Sequence, residues 1–424
     1  MKTSKIPFYI LIGFNILSWV IYVSNPYLNS VSSTHGLTVF YVLVNIIALY
    51  YGLKNGEKNA NHIQLRRTSL VGSFSRRYLW YYFVFYILTF TLKYAYELRC
   101  PAFDISALVN RIIIGTASPG LGYQLTLKGA QSFSWSIYTI ISTVDSGFFI
   151  IGMLCWKQMS KVQKPIFIVL VVFELLKWFG AGTSFGIMQI CTTFVLVYVI
   201  NMKRESLSKK ELFRTGSVLL LVFIAAIVSF GTNMQGRAGG ELQDITSSKV
   251  NLDSFVFKYV IAYLPEWFQN LYDFICRYLV GGYYNLEYMF QCDYDWTYFL
   301  GSTNALTTLA DDIFHIGVES LNYQTKIYDK FGIDPYIYWH SCYAWWANDF
   351  TIIGVPFVVY WIGKIATRAL SLYRRYEDLT SGIVFVIFAN TIIYFFANNN
   401  YFSGHLFFLL VVLAIWNKKM YKTK

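Results

Sequence analysis

The sequence predicts an all-α polytopic integral membrane protein with about ten transmembrane helices. Both termini are cytoplasmic in this reading, and one long, partly helical outer loop comes late in the chain. Three observations carry the prediction. The chain is 56% hydrophobic and only 14% charged over 424 residues, where a soluble domain carries about 25% charged residues. Apolar runs recur at about the length that crosses a hydrocarbon core of roughly 30 Å. Lysine and arginine collect in alternate connecting segments.

Ten runs qualify: residues 6–23, 37–53, 78–96, 132–156, 165–181, 184–200, 216–233, 351–363, 381–397 and 403–416. The first reads as an uncleaved span, because no A-x-A-like site follows it and "SNPYLNS" forms an outer turn. The fourth is long, and the eighth and tenth are short. With "MKTSK" inside, the inner segments 1–5, 54–77, 157–164, 201–215, 364–380 and 417–424 hold 24 of the 35 basic residues. The outer segments, about twice as long in total, hold nine. This is the positive-inside asymmetry. It explains the net charge of +12 as an orientation signal, so no nucleic-acid partner is implied and the lipid bilayer is the expected surrounding.

Three regions follow. Residues 1–233 carry seven spans with short loops, 234–350 form the large outer loop, and 351–424 carry three spans and a basic tail. The outer loop is rich in aromatics, and "DSFVFKYVIAYLPEWFQNLYDFICRYL" (253–279) has apolar residues at helical spacing, broken at Pro265. In "VGGYYNLEYMF", Gly281–Gly282 reads as a second break. One or two helices lying on the membrane face are expected; a small extracytoplasmic cap with its own core is the plainer alternative. Six cysteines occur without a C-x-x-C, so no zinc or redox motif is supported.

Charged residues within spans are costly and mark a pathway, a cavity or a pair. Asp145 lies in the fourth span; Glu174 and Lys177 lie in the fifth, three residues apart on one helix face. A structural pair is the plainer reading of the latter two, and Lys93 and Lys177 have snorkelling available as well. Arginines on the outer side need an explanation, and Arg111, Arg237 and Arg277 are the candidates. A guanidinium fork suits a phosphate or pyrophosphate, with a surface salt bridge as the alternative. Outer proton-transfer candidates are Glu266, Asp273, Glu287, Asp293, Asp295, Asp311, Asp312, Asp349, His315 and His340. "DYDW" (293–296) contains D-x-D, a nucleotide-sugar signature, but the predicted topology puts it outside, away from nucleotide sugars. No P-loop, G-x-S-x-G, H-E-x-x-H or Rossmann fingerprint appears.

The span pattern with one long outer loop late in the chain resembles the Wzy-type O-antigen and capsular repeat-unit polymerases of bacteria. Three stretches add to the resemblance. "GAGTSFGIMQICTTFVLVYVI" (180–200) looks like their small-residue-rich helix start, without the arginine common there. "RYLVGGYYNLEYMF" (277–290) looks like their Tyr/Gly-Gly/aromatic element. "YAWWANDFTIIGVPFVVYWIG" (343–363) looks like their re-entry into the membrane, with Thr351 where a Gly often stands.

The resemblance implies a multi-pass protein of the bacterial cytoplasmic (inner) membrane acting on undecaprenyl-pyrophosphate-linked oligosaccharides. On the outer face the growing chain moves from its lipid pyrophosphate to a hydroxyl of the next repeat unit. Metal independence, no cofactor and a chain-length regulator as partner are further expectations of the resemblance. In these terms Arg237, Arg277 and Arg111 would hold the pyrophosphate, and Asp349, His340 or Glu287 would take the acceptor proton. Tyr283, Tyr284 and Tyr343 would stack on sugar rings.

Three other activities compete. An O-antigen ligase, with the same donor, would use His315 or His340. A glycosyltransferase of the GT-C type needs a carboxylate in the first outer loop, and "SNPYLNSVSSTHG" has none. A transporter or flippase would favour interrupted helices at the midplane and would use Asp145 and the Glu174–Lys177 pair.

Overall fold

The computed structural model describes residues 5–27, 32–60, 63–65, 76–128, 135–201, 251–335 and 338–399, with isolated positions in 213–233 and 406–413 and the segment 421–423. The chain opens with α1 (Ile6–Val23), α2 (Ser32–Ala60) and α3 (Arg76–Leu98). Next come α4 (Ile105–Ala117), α5 (Pro119–Lys128), α6 (Trp135–Asp145), α7 (Phe148–Leu154), α8 (Gln163–Gly180) and α9 (Phe185–Ile200). The predicted outer loop contributes α10 (Phe255–Tyr259), α11 (Glu266–Met289), α12 (Asn304–Phe314), α13 (Val318–Leu321) and α14 (Tyr323–Phe331). The chain returns through α15 (Cys342–Tyr376) and α16 (Leu379–Ile393). Strands β1 (Ile63–Leu65) and β2 (Tyr421–Thr423) pair antiparallel, Ile63 opposite Thr423. They join two segments that the basic-residue pattern assigns to one side.

Among the described residues, α1, α2 and α15 are long and apolar enough to cross a membrane; α4, α9 and α16 are shorter apolar helices. Helix α16 is buried at every residue, as expected of a helix that is apolar all round. Helices α1, α7, α9 and α15 pack against it.

Helices α2 and α15 meet along small residues. A Cβ on Gly52 would lie 2.1 Å from the Tyr360 carbonyl oxygen, and one on Gly56 would lie 2.3 Å from that of Lys364. Thr367 Oγ1 donates across the seam to the Leu53 carbonyl (2.7 Å). Without a hydrophobic drive inside lipid, such close backbone approach is how helices associate.

Three local expectations differ from the structure. Gly281–Gly282 does not break α11, which starts after Pro265 and runs through both glycines. A Cβ on Gly282 would lie 2.0 Å from the Phe396 carbonyl oxygen, so that glycine serves close packing rather than a turn. The eighth run, 351–363, is the middle of a longer helix. That helix kinks at Thr351 (φ 61°, ψ 166°), a conformation that essentially only glycine adopts without strain. The fourth run, 132–156, is divided between α6 and α7 at Ser146–Gly147.

Candidate functional site

The segment that the sequence predicts as the outer loop folds onto α15 around Asp349 and Asn348. Asp349 is buried. Its Oδ1 accepts from Thr297 Oγ1 and from the Gly301 N–H (3.1 Å), and its Oδ2 accepts from the Ser302 N–H (2.8 Å). Asn348 Oδ1 accepts from the Tyr323 N–H (2.9 Å), and its Nδ2 donates to the Gly301 carbonyl (3.1 Å) and to Gln324 Oε1 (3.0 Å). The pair "ND" therefore holds the 297–302 loop and the start of α14 against the membrane helix. Arg277 is not among the donors to Asp349.

Above this anchor lies a cavity of about 440 Å³, within the range of roughly 300–1,000 Å³ typical of small-molecule sites. Asn322, Gln324, Asn398 and Asn399 supply amides to its lining; Thr307, Thr308 and Thr325 supply hydroxyls; Asp311, Asp312 and Glu319 supply carboxylates; Trp345 and Pro335 complete it. The Trp345 indole N–H donates to Asn398 Oδ1 (3.3 Å), and that oxygen also receives the His340 backbone N–H (2.6 Å). Asp311 is spent on the backbone N–H groups of Val318 (2.6 Å) and Glu319 (2.7 Å). Asp312 is exposed. The amides and the indole escaped the sequence reading because their positions are scattered and only the fold collects them.

A second centre lies on α11. Glu287 is fully buried. Its Oε1 accepts from the Tyr22 hydroxyl and sits 2.8 Å from His35 Nδ1. Thr34 Oγ1 donates to the Glu287 carbonyl (3.1 Å). His35 is partly exposed, with 21% of its side chain accessible. A buried carboxylate that aligns one imidazole nitrogen leaves the other to work as a base. His35 was missed in the sequence; its signal was being the one residue of the predicted first outer loop that titrates near neutral pH.

The remaining predicted residues are dispersed. Arg277 pairs with Asp273 (Nε to Oδ2, 2.8 Å) one turn earlier on α11 and lies over the Tyr27 ring. Arg111 is buried and donates to the carbonyls of Leu98 (3.1 Å), Gly180 (3.1 Å) and Gly122 (2.6 Å) and to Thr126 Oγ1 (2.9 Å). It clamps the ends of α3 and α8 to α4 and α5. Arg237 lies outside the described residues.

Tyr283 and Tyr343 are fully buried with parallel rings 6.2 Å apart, and the Tyr284 hydroxyl donates to Asn25 Oδ1 (2.9 Å). His340 is fully buried, and among the described residues neither ring nitrogen has a hydrogen-bond partner. Burial pushes its pKa down to about 3, which weakens it as a proton acceptor. Asp293 and Asp295 of the D-x-D both contact Lys326 Nζ, through the Asp293 carbonyl and Asp295 Oδ2.

The charges within predicted spans gather in one place. Lys177 Nζ contacts Glu97 and Glu174 (2.5 Å to the latter), and the Tyr94 hydroxyl and the Trp178 indole N–H donate to Glu174. Asp145, at the end of α6, accepts from Thr89 Oγ1 (2.9 Å). These groups border a cavity of about 260 Å³.

Comparison of the chain with family models, with curated proteins and with solved structures returns no match.

Proposed function

We propose that this protein is a glycosyltransferase that polymerises polyprenyl-pyrophosphate-linked oligosaccharide repeat units on the outer face of a bacterial cytoplasmic membrane. The observation that carries the reading is the outer cavity. It combines amide, hydroxyl and carboxylate groups with one indole face, which suits a sugar ring's hydroxyls and its apolar C–H face. Ten spans with both termini inside would place that cavity where lipid-linked units are presented.

In this mechanism one sugar of the acceptor oligosaccharide is held in the cavity beside Trp345 while the sugar that reacts lies at the second centre. His35, aligned by Glu287, accepts the proton of the attacking hydroxyl as that oxygen bonds to the donor's anomeric carbon. The bond to the lipid pyrophosphate breaks, and Arg277 and Arg237 stabilise the departing anion by charge placed where it develops. Asp349 keeps the cavity's floor in position and takes no proton.

In cells, His35→Ala should leave the protein inserted and shorten the surface glycan to single repeat units, with His35→Gln no better. A normal ladder of long chains from inserted His35→Ala would remove His35 from the mechanism.

One observation favours a second reading, a transporter of lipid-linked oligosaccharides. The fourth predicted span is interrupted beside Asp145, next to a charged cavity, as in carriers with discontinuous helices. Purified protein in vesicles that moves lipid-linked units across the bilayer without lengthening them would favour that reading.

A further inference from the structure

The charge of the outer cavity points to the class of sugar it takes. Its three charged lining residues, among those described, are Asp311, Asp312 and Glu319, all carboxylates. The other polar contributors are neutral amides and hydroxyls. Two of the amides are incompletely satisfied. Asn322 and Gln324 are buried at 3% and 2% exposure. Gln324 Oε1 accepts from Asn348, while among the described residues its Nε2 and Asn322 Oδ1 have no partner. Both residues border the cavity, and each keeps one buried amide atom whose hydrogen-bonding capacity no described residue uses, which is costly. Trp345 offers an indole whose N–H is already fixed by Asn398.

We propose that this cavity is a sugar subsite selective for uncharged or amine-bearing sugars over acidic ones, with Asp312 setting the selectivity. The inference rests on the proposed sugar-polymerising function and names the substrate class of that same site. Asp311 has both carboxylate oxygens committed to backbone N–H groups. Asp312, on the same helix and exposed, has no hydrogen bond or ion pair among the described residues. A uronic-acid or phosphate-bearing residue would bring a second anion against it. A neutral hexose or N-acetylhexosamine meets no such charge, and a free amine would gain from it. Exclusion by an unpaired like charge is an effective source of specificity.

The full-length protein in lipid nanodiscs is titrated with neutral disaccharides of hexoses and N-acetylhexosamines, each paired with its uronic-acid counterpart. The acidic member of the best-binding pair should bind at least about tenfold more weakly, which is about 1.4 kcal/mol, within reach of one like-charge contact near a protein surface. Asp312→Asn should narrow that ratio to a few-fold, Asp312→Lys should invert it, and Trp345→Ala should weaken both members together. Equal or tighter binding of the acidic sugars by the wild type would overturn the inference, as would a ratio indifferent to both Asp312 variants. If no disaccharide binds while lipid-linked units are still polymerised, the cavity is not the subsite and the polymerase reading survives. If the neutral sugars bind as described but no polymer forms, the charge selectivity stands and the polymerase reading falls.

Discussion

Asp349 and His340 show how far a residue's surroundings change its role. Asp349 sits where the long segment meets the membrane helix, and a carboxylate there invites a catalytic reading. Its oxygens instead receive one hydroxyl and two backbone N–H groups; charge-assisted bonds of this kind are among the stronger ones. His340 is the converse case, an imidazole buried with no hydrogen-bond partner among the described residues. Its folded pKa of about 3 lies below the ordinary value of about 6.5. Between those values the unfolded chain binds a proton that the native state does not, so stability rises with pH across that window. The stabilisation is complete above about pH 6.5 and is lost as the pH falls toward 3. Thermal melts of the detergent-purified protein should therefore drop between about pH 7 and 5 more steeply for the wild type than for His340→Phe. Identical slopes would show that His340 is not held neutral by the fold.

Helix interfaces depended on glycines whose purpose the sequence did not reveal. The Gly281–Gly282 pair suggested a break, yet α11 continues because Gly282 packs against the Phe396 carbonyl. Gly52 and Gly56, four residues apart, lie under α15 in the same way. Gly56→Leu should destabilise the protein by about 1–3 kcal/mol through overpacking, read as a lower melting temperature in detergent. Gly13→Leu, where no atom lies within 4 Å of the added Cβ, should be tolerated. Equal effects of the two would deny the close α2–α15 seam. Thr351 belongs to this scale too. The resemblance set a glycine at its place, and its positive φ with extended ψ costs a side-chain-bearing residue about 1–3 kcal/mol. The kink separates the "YAWWANDF" turns, which carry Trp345, Asn348 and Asp349, from the rest of α15.

For the whole molecule, what was legible followed from apolar run length, which marked every long apolar helix the structure describes. Run length could not place the interruption beside Asp145, because Ser146 and Gly147 interrupt hydropathy only slightly. The candidate site was legible only in part. Glu287 was singled out, but its partner His35 lies about 250 residues earlier in the chain, and no spacing rule connects them. Asp311 and Asp312 were seen as an isolated pair, whereas the amides of Asn322, Gln324, Asn398 and Asn399 give them a context only after folding.

At this scale the structure sets a polar cavity beside α15 and, separately, the Glu287–His35 pair; under the proposed polymerase function no energy source beyond the lipid pyrophosphate bond is needed. The most direct test is reconstitution of the purified wild-type protein with native lipid-linked repeat units, without ATP or nucleotide sugar. The account predicts a ladder of progressively longer glycans, lost with His35→Ala and shortened with Arg277→Ala. Native substrate that stays at a single repeat unit in the presence of folded wild-type protein would contradict it.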